Sequence, residues 1–362
     1  MGARTRAGVL CSLIAAVALA APAAATAKPK MFYGVSAAGF PAAADLQRAA
    51  RGGAKSVRLT IPWRIVEPSR GMRNWRNVDE FIAAATSAGL DVLPLLSGTP
   101  AWLGPNPARA PIYSQDQRDV WYGFVRDAAA RYGENGTFWA LNPGIPPRPF
   151  EFWQVWNEVN LGSFWGGRPS PRDYLDLVGL TREGLRAADP GARILHAGLI
   201  PFKSASGSSL SGKKYLRALY KRKRRKRAKE LIDAVAVHPY GRTPKIALKS
   251  LRQMRLTLNE AGARKTPLWV TEFGWSTGGF DWNRCPFPAT LQGQAKKLRK
   301  TYKEMRKQRK MLRLRRTYYF SLSDFDQPGV ADNWSTRMGL LDLNGQPKPA
   351  WFAFVERAGG TP

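Results

Sequence analysis

The stretch EFWQVWNEVN, residues 151–160, joins an apolar run to a carboxylate. Four of the five residues at 152–156 are aromatic or aliphatic, which predicts a short buried strand, and Asn157 and Glu158 follow it directly. A carboxylate next to so apolar a strand is costly to bury unless it has partners. Glu158 is therefore a candidate functional residue, and its role depends on the fold around the strand.

Seven further runs of the same kind occur along the chain and alternate with amphipathic segments. The eight predicted strands cover residues 32–37, 56–63, 91–96, 152–156, 193–199, 234–238, 268–272 and 316–322. Helix signals lie between them: serine caps at Ser114 and Ser170, and glycine stops at Gly89, Gly133, Gly191 and Gly262. Gly89 and Gly262 end the amphipathic runs at 78–88 and 251–261, which are predicted helices.

Eight strands alternating with helices predict an α/β protein, a single-domain (β/α)₈ TIM barrel. A doubly wound sheet is the alternative. It would usually carry a glycine-rich phosphate turn after its first strand, and YGVSAAGFPA at 33–42 lacks that spacing. Because a barrel places its chemistry at the C-terminal ends of its strands, Glu158 stands where a catalytic residue is expected.

The first 27 residues are predicted to be a secretory signal peptide. Two arginines precede an apolar stretch at 7–20, and small residues at 25–27 suit cleavage. The stretch is shorter than the ~20 residues that a membrane span needs, and no later segment of that length is free of charge. We therefore expect residues 28–362 to form a secreted catalytic domain. Because Cys11 is removed with the signal peptide, Cys285 has no second cysteine with which to form an internal disulfide.

A second carboxylate occupies an equivalent place after the seventh predicted strand. Glu272 lies in PLWVTEFGWST, residues 267–277, and is 272 − 158 = 114 residues from Glu158, which suits three βα units. The two acids would then face each other across one barrel mouth. Apolar neighbours such as Trp153 and Trp156 disfavour the charged form of Glu158, so its pKa is expected to rise.

Two carboxylates with opposite protonation states meet the requirement for cleaving a glycosidic bond. In this interpretation Glu158 is the general acid and Glu272 attacks carbon, with retention of configuration if the carboxyl groups lie ~5–5.5 Å apart. Asn157 is predicted to bind a sugar hydroxyl, and Arg58 and Tyr240 to support Glu272. Each residue taken alone is more often an ordinary ion-pair or hydrogen-bond partner, as His238 also is, and only their joint placement favours function.

The motifs resemble those of clan A of the glycoside hydrolases. The resemblance rests on WNEVN at 156–160, TEFGW at 271–275, Arg58 on the second strand, HPY at 238–240 and the closing GLLDLNGQPKPAWFAF at 339–354. Within the clan the chain most resembles bacterial proteins related to family 39, and less closely family 5 or cellulase-like groups. The resemblance implies a retaining (β/α)₈ enzyme with Glu158 as acid/base, Glu272 as nucleophile, and Asn157, Arg58, Tyr240 and His238 beside them.

The eighth predicted strand departs from the clan pattern. Many members have a tryptophan at its end that forms the floor of the sugar site, whereas RTYYFSLSDFDQPG at 316–329 offers Phe320, Asp324 or Phe325. Six tryptophans of the predicted mouth loops are candidates to stack on sugar rings, about half of them by expectation, the others packing loops on the barrel. They are Trp63, Trp102, Trp165, Trp275, Trp282 and Trp334.

The composition indicates which partners to expect. No close histidine pair and no Cys-x-x-Cys motif occurs, so no metal or other cofactor is predicted. The formal charge is +31, with dense basic runs at 213–229 and 299–316 that we expect on outer helices. They are either solvated helix faces or a docking surface for an anionic cell-wall polymer or exopolysaccharide; nucleic acid is disfavoured because stacking aromatics are not interleaved with them.

The sequence therefore predicts a secreted retaining glycosidase that acts on a polysaccharide or oligosaccharide. The alternatives are a catalytically silent carbohydrate-binding barrel and a basic polyanion-binding protein. The presence of both acids argues against a silent barrel, because a protein that only binds sugar needs no such pair.

Overall fold

A computed structural model describes residues 1–2, 32–202, 208–279, 285–327 and 333–362, so nearly all of the predicted signal peptide lies outside the described residues. Eight parallel strands form one sheet in the order β5-β4-β3-β2-β1-β8-β7-β6. They are β1 Tyr33–Ser36, β2 Ser56–Pro62, β3 Asp91–Ser97, β4 Phe152–Val155, β5 Arg193–Leu195, β6 Val235–Val237, β7 Leu268–Val270 and β8 Leu314–Phe320.

The edges of this sheet meet. Isolated parallel bridges join Leu195 to Ala234 and Leu199 to Val237, which connects the β5 edge to the β6 edge. The predicted (β/α)₈ TIM barrel is confirmed, with all eight strands at the predicted places. No helix in the described part of the chain has the length and apolarity to cross a membrane.

Helices follow the strands and surround the sheet. They are α1 Ala43–Arg51, α2 Trp63–Val66, α3 Arg76–Ser87, α4 Gln115–Tyr132, α5 Thr137–Leu141, α6 Gly162–Trp165, α7 Pro171–Ala188, α8 Gly212–Leu219, α9 Arg222–Leu231, α10 Pro244–Glu260, α11 Leu291–Lys307, α12 Arg309–Leu312 and α13 Pro349–Ala358. A 3₁₀ turn spans Trp334–Arg337. Both basic runs lie largely on helices of the outer ring, as expected.

Local capping chemistry fixes several of these helix boundaries. The Ser114 hydroxyl accepts a hydrogen bond from the Gln117 amide at the start of α4, and the Ser170 hydroxyl accepts one from Asp173 at the start of α7. Helix α10 starts at Pro244, seven residues before the predicted start at 251. Thr243 caps it and proline takes its first position, a signal that the sequence prediction did not use.

A small group of side chains fills the inside of the barrel below the mouth. It contains Leu93, Phe152, Leu195, Ala234, Ala236, Trp269 and Tyr318, which come from or adjoin six different strands. Because side chains alternate between the two faces of a strand, Gln154 lies one step above Phe152 on the same face. The apolar floor therefore gives way to polar residues toward the C-terminal ends of the strands.

Candidate active site

Glu158 lies just beyond β4 in an unusual backbone conformation. Trp156 and Glu158 have φ values of 63° and 41°, in the left-handed region that side chains with a Cβ rarely adopt. Such outliers persist where the surrounding structure imposes them, and they cluster at functional sites. The turn leaves the Glu158 side chain buried, with 7% of the residue exposed, at the C-terminal end of its strand.

The partner of Glu158 is His238, which follows β6. The His238 Nδ1 atom lies 2.7 Å from Glu158 Oε1, and its Nε2 atom lies 2.9 Å from the Thr271 hydroxyl. The backbone makes room for this ring at Gly198, where an added Cβ would lie 1.9 Å from His238 Nε2. Burial raises the pKa of Glu158, an effect that the hydrogen bond and charge of His238 oppose without cancelling.

Glu272, just beyond β7, has different surroundings. Arg58 Nη1 donates to its Oε1 atom at 2.7 Å, and the Tyr240 hydroxyl donates to its Oε2 atom at 2.9 Å. Burial alone would raise the pKa of Glu272, but the charges of His238 and Arg58 and the hydrogen bonds from Tyr240 and Arg58 outweigh it, so the pKa is lowered. The site therefore favours a protonated Glu158 opposite an ionised Glu272.

The two carboxylates lie close enough to act on one bond. One oxygen of Glu158, one oxygen of Glu272 and a ring nitrogen of His238 all lie within 4.8 Å of one another. Oxygens of the two carboxylates therefore lie at most 4.8 Å apart, which is compatible with the ~5–5.5 Å between the carboxyl groups of retaining glycosidases. The same three groups have the donor types of a metal site. Arg58 and Tyr240 already bond both oxygens of Glu272, however, and a cation there would lie beside a guanidinium.

Arg58 on β2 connects the site. Besides Glu272, it donates from Nε to Gln154 at 2.7 Å, from Nη2 to the Asn157 side-chain oxygen at 3.0 Å, and from Nη1 to Ser36 at 3.2 Å. Because Asn157 accepts this bond through its oxygen, its NH₂ group remains the donor for a ligand. Gln154, Ser36 and Thr271 were not predicted from the sequence. Polar residues inside otherwise apolar strands were the available signal for the first two.

A cavity of about 390 Å³ opens at this end of the barrel. Among its lining residues are Arg58, Asn157 and Glu272, together with the aromatic side chains of Trp156, Phe164 and Phe320. Phe320, one of the residues that the sequence offers in place of the clan's tryptophan, ends β8. Phe164 was missed, although it lies in α6, six residues after Glu158, and 41% of it is exposed.

Three of the six candidate stacking tryptophans lie in the packed interior and so do not line the cleft. Trp63, Trp165 and Trp275 are at most 2% exposed. Trp63 donates to Glu67 and stacks on Phe124, Trp165 packs edge-on against Trp156, and Trp275 donates to the Gly241 carbonyl. Their faces are covered by protein, so no sugar can reach them.

Trp102 and Trp334 are partly exposed, but neither is among the residues that line the described cavity. The Trp102 indole donates to the Glu67 carbonyl at 2.8 Å. Trp334 packs edge-on against Tyr240, with ring centres 6.1 Å apart, and so stands beside the Glu272 cluster. Its role in binding stays a prediction, and Trp282 lies outside the described residues.

Solved structures with the same fold are glycoside hydrolases. A family 39 enzyme from Bacteroides cellulosilyticus WH2 matches with a TM-score of 0.64 and 18% identity over 91% of this chain and 63% of that chain. A β-xylosidase from Caulobacter crescentus CB15 matches with a TM-score of 0.63 and 19% identity, over 90% of this chain and 67% of that one.

A family 5 enzyme of subfamily 18 from Bifidobacterium longum, solved with Manβ1-4GlcNAc, has a TM-score of 0.66 and 17% identity, over 91% of this chain and 78% of its own. No family model and no curated protein matches the chain. Identities this low establish the fold alone. At the level of the fold, the predicted likeness to clan A is confirmed, and enzymes of both family 39 and family 5 are among the similar structures.

Proposed function

We propose that this chain is a retaining glycoside hydrolase in which Glu272 is the nucleophile and Glu158 the general acid and base. The observation that carries the proposal is the carboxylate pair itself. Oxygens of the two groups lie within 4.8 Å of each other just beyond β4 and β7, and their surroundings move the two pKa values in opposite directions. The fold shared with glycoside hydrolases of families 39 and 5 supports the same conclusion.

The first chemical step forms a glycosyl ester. An ionised Glu272 oxygen attacks the anomeric carbon of the bound sugar, and the bond from that carbon to the leaving oxygen breaks. Glu158 gives its proton to the leaving oxygen, so the aglycone departs as a neutral alcohol and Glu158 becomes a carboxylate. Arg58 and Tyr240 hold Glu272 in place, because each donates to one of its oxygens.

The second step reverses these roles. Glu158, now ionised, takes a proton from a water molecule as the water oxygen attacks the anomeric carbon. The ester bond to Glu272 breaks and both glutamates return to their starting states. Two inversions at one carbon leave the configuration unchanged. Asn157 binds the sugar hydroxyl next to the reacting carbon through its NH₂ group, a contact that strengthens in the transition state.

The substrate in this proposal is an oligosaccharide or polysaccharide outside the cell. The aromatic side chains of Phe164 and Phe320 in the cavity wall suit the apolar faces of sugar rings. The N-terminal signal at 1–27 supports export. Recovery of the protein from the culture medium with a new N-terminus at Lys28 is the expected result, and retention in the cell with residues 1–27 intact would contradict export.

The function is tested on a panel of aryl glycosides and polysaccharides. Aryl β-xylosides and β-mannosides come first, since the similar structures include a β-xylosidase and a β-mannosidase. Cleavage of at least one substrate with a retained product, lost in Glu272→Ala, is expected. A protein that binds sugars on the panel but cleaves none would be the silent barrel, and cleavage by Glu272→Ala at the parent rate would remove the nucleophile assignment.

A further inference from the structure

The positive charge of this protein is concentrated in one part of the barrel. Residues 212–316 contain 31 of the 57 lysines and arginines but only 6 of the 26 aspartates and glutamates. That segment therefore has a formal charge of 31 − 6 = +25, out of +31 for the whole chain. The rest of the barrel is close to the balance of an ordinary protein surface.

The helices of this segment form one continuous face. Helix α8 contacts α9 and α10, α10 contacts α11 and α12, and α11 contacts α12. We call the outer face of α8–α12 the basic sector. The two basic runs, which are separate in the sequence, are therefore brought to the same side of the barrel.

Most exposed cations of the basic sector have no carboxylate partner. Arg217, Arg227 and Arg299 form ion pairs with Glu260, Asp176 and Glu356. In the part of the chain that the structure describes, no ion pair is found for a larger exposed set: Lys221, Arg222, Lys223, Lys226, Lys229, Lys296, Lys300, Lys303, Arg306 and Lys307.

The helix ends add to this imbalance. Among helices of eight residues or more, those before residue 212 (α1, α3, α4 and α7) each have an aspartate in the first turn. Helices α8, α9, α10 and α11 have none. Helix α9 begins at Arg222, after Lys221, without a side-chain cap, so cations sit at the positive end of its dipole. This arrangement opposes folding and is relieved by an external anion.

The exposed cations of α11 form a line. Lys296, Lys300, Lys303 and Lys307 have the spacing i, i+4, i+7, i+11 and therefore share one side of the helix. They extend over about 16 Å at ~1.5 Å per residue. A line of this length matches a linear chain of negative charges better than a single small anion.

The burial of the aromatic residues in this segment helps to distinguish between the polyanions that it could bind. Every aromatic side chain described between 212 and 316 is buried, and the exposed large apolar residues there are Ile246, Leu256, Leu291 and Met311. Single-stranded nucleic acid is bound by stacking on exposed aromatics, and membrane surfaces by an apolar helix face with aromatic anchors. The described surface offers neither feature.

We propose that the basic sector is a docking surface for a linear acidic polysaccharide. The surface keeps the protein on an anionic polymer matrix while the barrel mouth remains open to its substrate. The docking does not depend on the glycosidase assignment, since its charges lie outside the Glu158 and Glu272 cluster.

The test compares two triple variants with the same change in charge. The sector variant carries Lys300→Glu, Lys303→Glu and Lys307→Glu, and the control carries Arg51→Glu, Lys55→Glu and Arg172→Glu, which are exposed residues elsewhere on the barrel. Affinity for a polyuronate, a neutral glucan, duplex DNA and anionic lipid vesicles is measured between about 50 and about 200 mM salt.

The parent protein is expected to bind the polyuronate more tightly than the glucan, with affinity falling as salt rises. The sector variant loses roughly tenfold or more in polyuronate affinity, and the control loses much less. Neither variant changes turnover of a small uncharged aryl glycoside, which separates this test from that of the glycosidase. Equal losses in both variants, equal binding to the glucan, or tighter binding to DNA or vesicles than to the polyuronate would overturn the proposal.

Discussion

The barrel mouth and the basic sector use charge in opposite ways. At the mouth, Arg58, Glu158, His238 and Glu272 are buried, and each has an oppositely charged or hydrogen-bonding partner within 3 Å. In the basic sector most cations are exposed, and among the described residues few of these have a carboxylate partner. Buried pairs are screened little by salt, whereas exposed charges are screened strongly. The chemistry at the mouth therefore depends on the positions of its paired side chains, whereas binding by the basic sector depends on the number of its exposed charges.

The largest effect is expected from Glu272→Gln. The amide keeps the shape of the side chain but removes the nucleophile, so turnover should fall on the order of 10⁴-fold or more at every salt concentration. Steady-state kinetics measure it. The matched control is Glu67→Gln, another buried glutamate, bonded by Trp63 and Arg73 away from the cavity. This control should lose stability and keep its turnover number; equal loss in both variants would show that the effect is structural.

Glu158→Gln should have a smaller effect that depends on the substrate. Loss of the general acid slows cleavage by about 10²–10⁴-fold when the leaving alcohol needs a proton. A nitrophenyl glycoside has a leaving group that departs as an anion, so its first step should be slowed much less. Comparing the two substrates by pre-steady-state kinetics measures the difference. Equal slowing of both would contradict the assignment of Glu158 as the proton donor.

The pH profile of kcat/KM should have one limb for the ionisation of each glutamate. Activity needs Glu272 ionised and Glu158 protonated, so kcat/KM rises as pH passes the lowered pKa of Glu272 and falls as pH passes the raised pKa of Glu158.

Tyr240→Phe removes a hydrogen bond to Glu272. It should move the acidic limb to higher pH and reduce kcat by about 10- to 100-fold, since a bond to a charged group contributes ~1.5–3 kcal/mol. An acidic limb that stays in place would show that Tyr240 does not act on Glu272.

The smallest effect on catalysis is expected from substitutions of aromatic residues. Comparing Phe164 with Trp63 distinguishes a residue that lines the cavity from one that packs in the core. Phe164→Ala should raise KM several-fold with little change in thermal stability, because the side chain lines the cavity and is exposed. Trp63→Ala should destabilise the fold by about 3–5 kcal/mol and leave KM unchanged in the folded protein. Thermal denaturation and kinetics on both variants check this. The reverse pattern would restore Trp63 as a binding residue.

The sequence was sufficient where local signals act alone. Strand positions and the caps at Ser114 and Ser170 depend on neighbouring residues, and the barrel rule then brought Glu158 and Glu272 to one mouth. The burial of Trp63 was not predictable in this way. Whether an indole faces a cleft or the core depends on contacts with distant residues such as Phe124, which the sequence around it does not contain.

The polar support of the site shows the same limit. Gln154 and Thr271 stand in or beside apolar strands, and their importance appears only when Arg58 and His238 lie against them at 2.7 and 2.9 Å. A polar residue on a strand predicts an inward-facing hydrogen bond but not its partner. The charge of the basic sector was visible in composition, whereas its continuity across five helices required the fold.

The most direct test of the account is to trap the glycosyl ester. An aryl glycoside chosen from the substrate panel and bearing fluorine at sugar C2 forms the ester and hydrolyses it slowly, because fluorine destabilises the oxocarbenium-like transition state. Mass spectrometry of the digested protein should find the sugar on Glu272 in the parent and no adduct in Glu272→Gln. A sugar attached to another residue, or turnover with inverted configuration and no adduct, would contradict a mechanism built on this pair of glutamates.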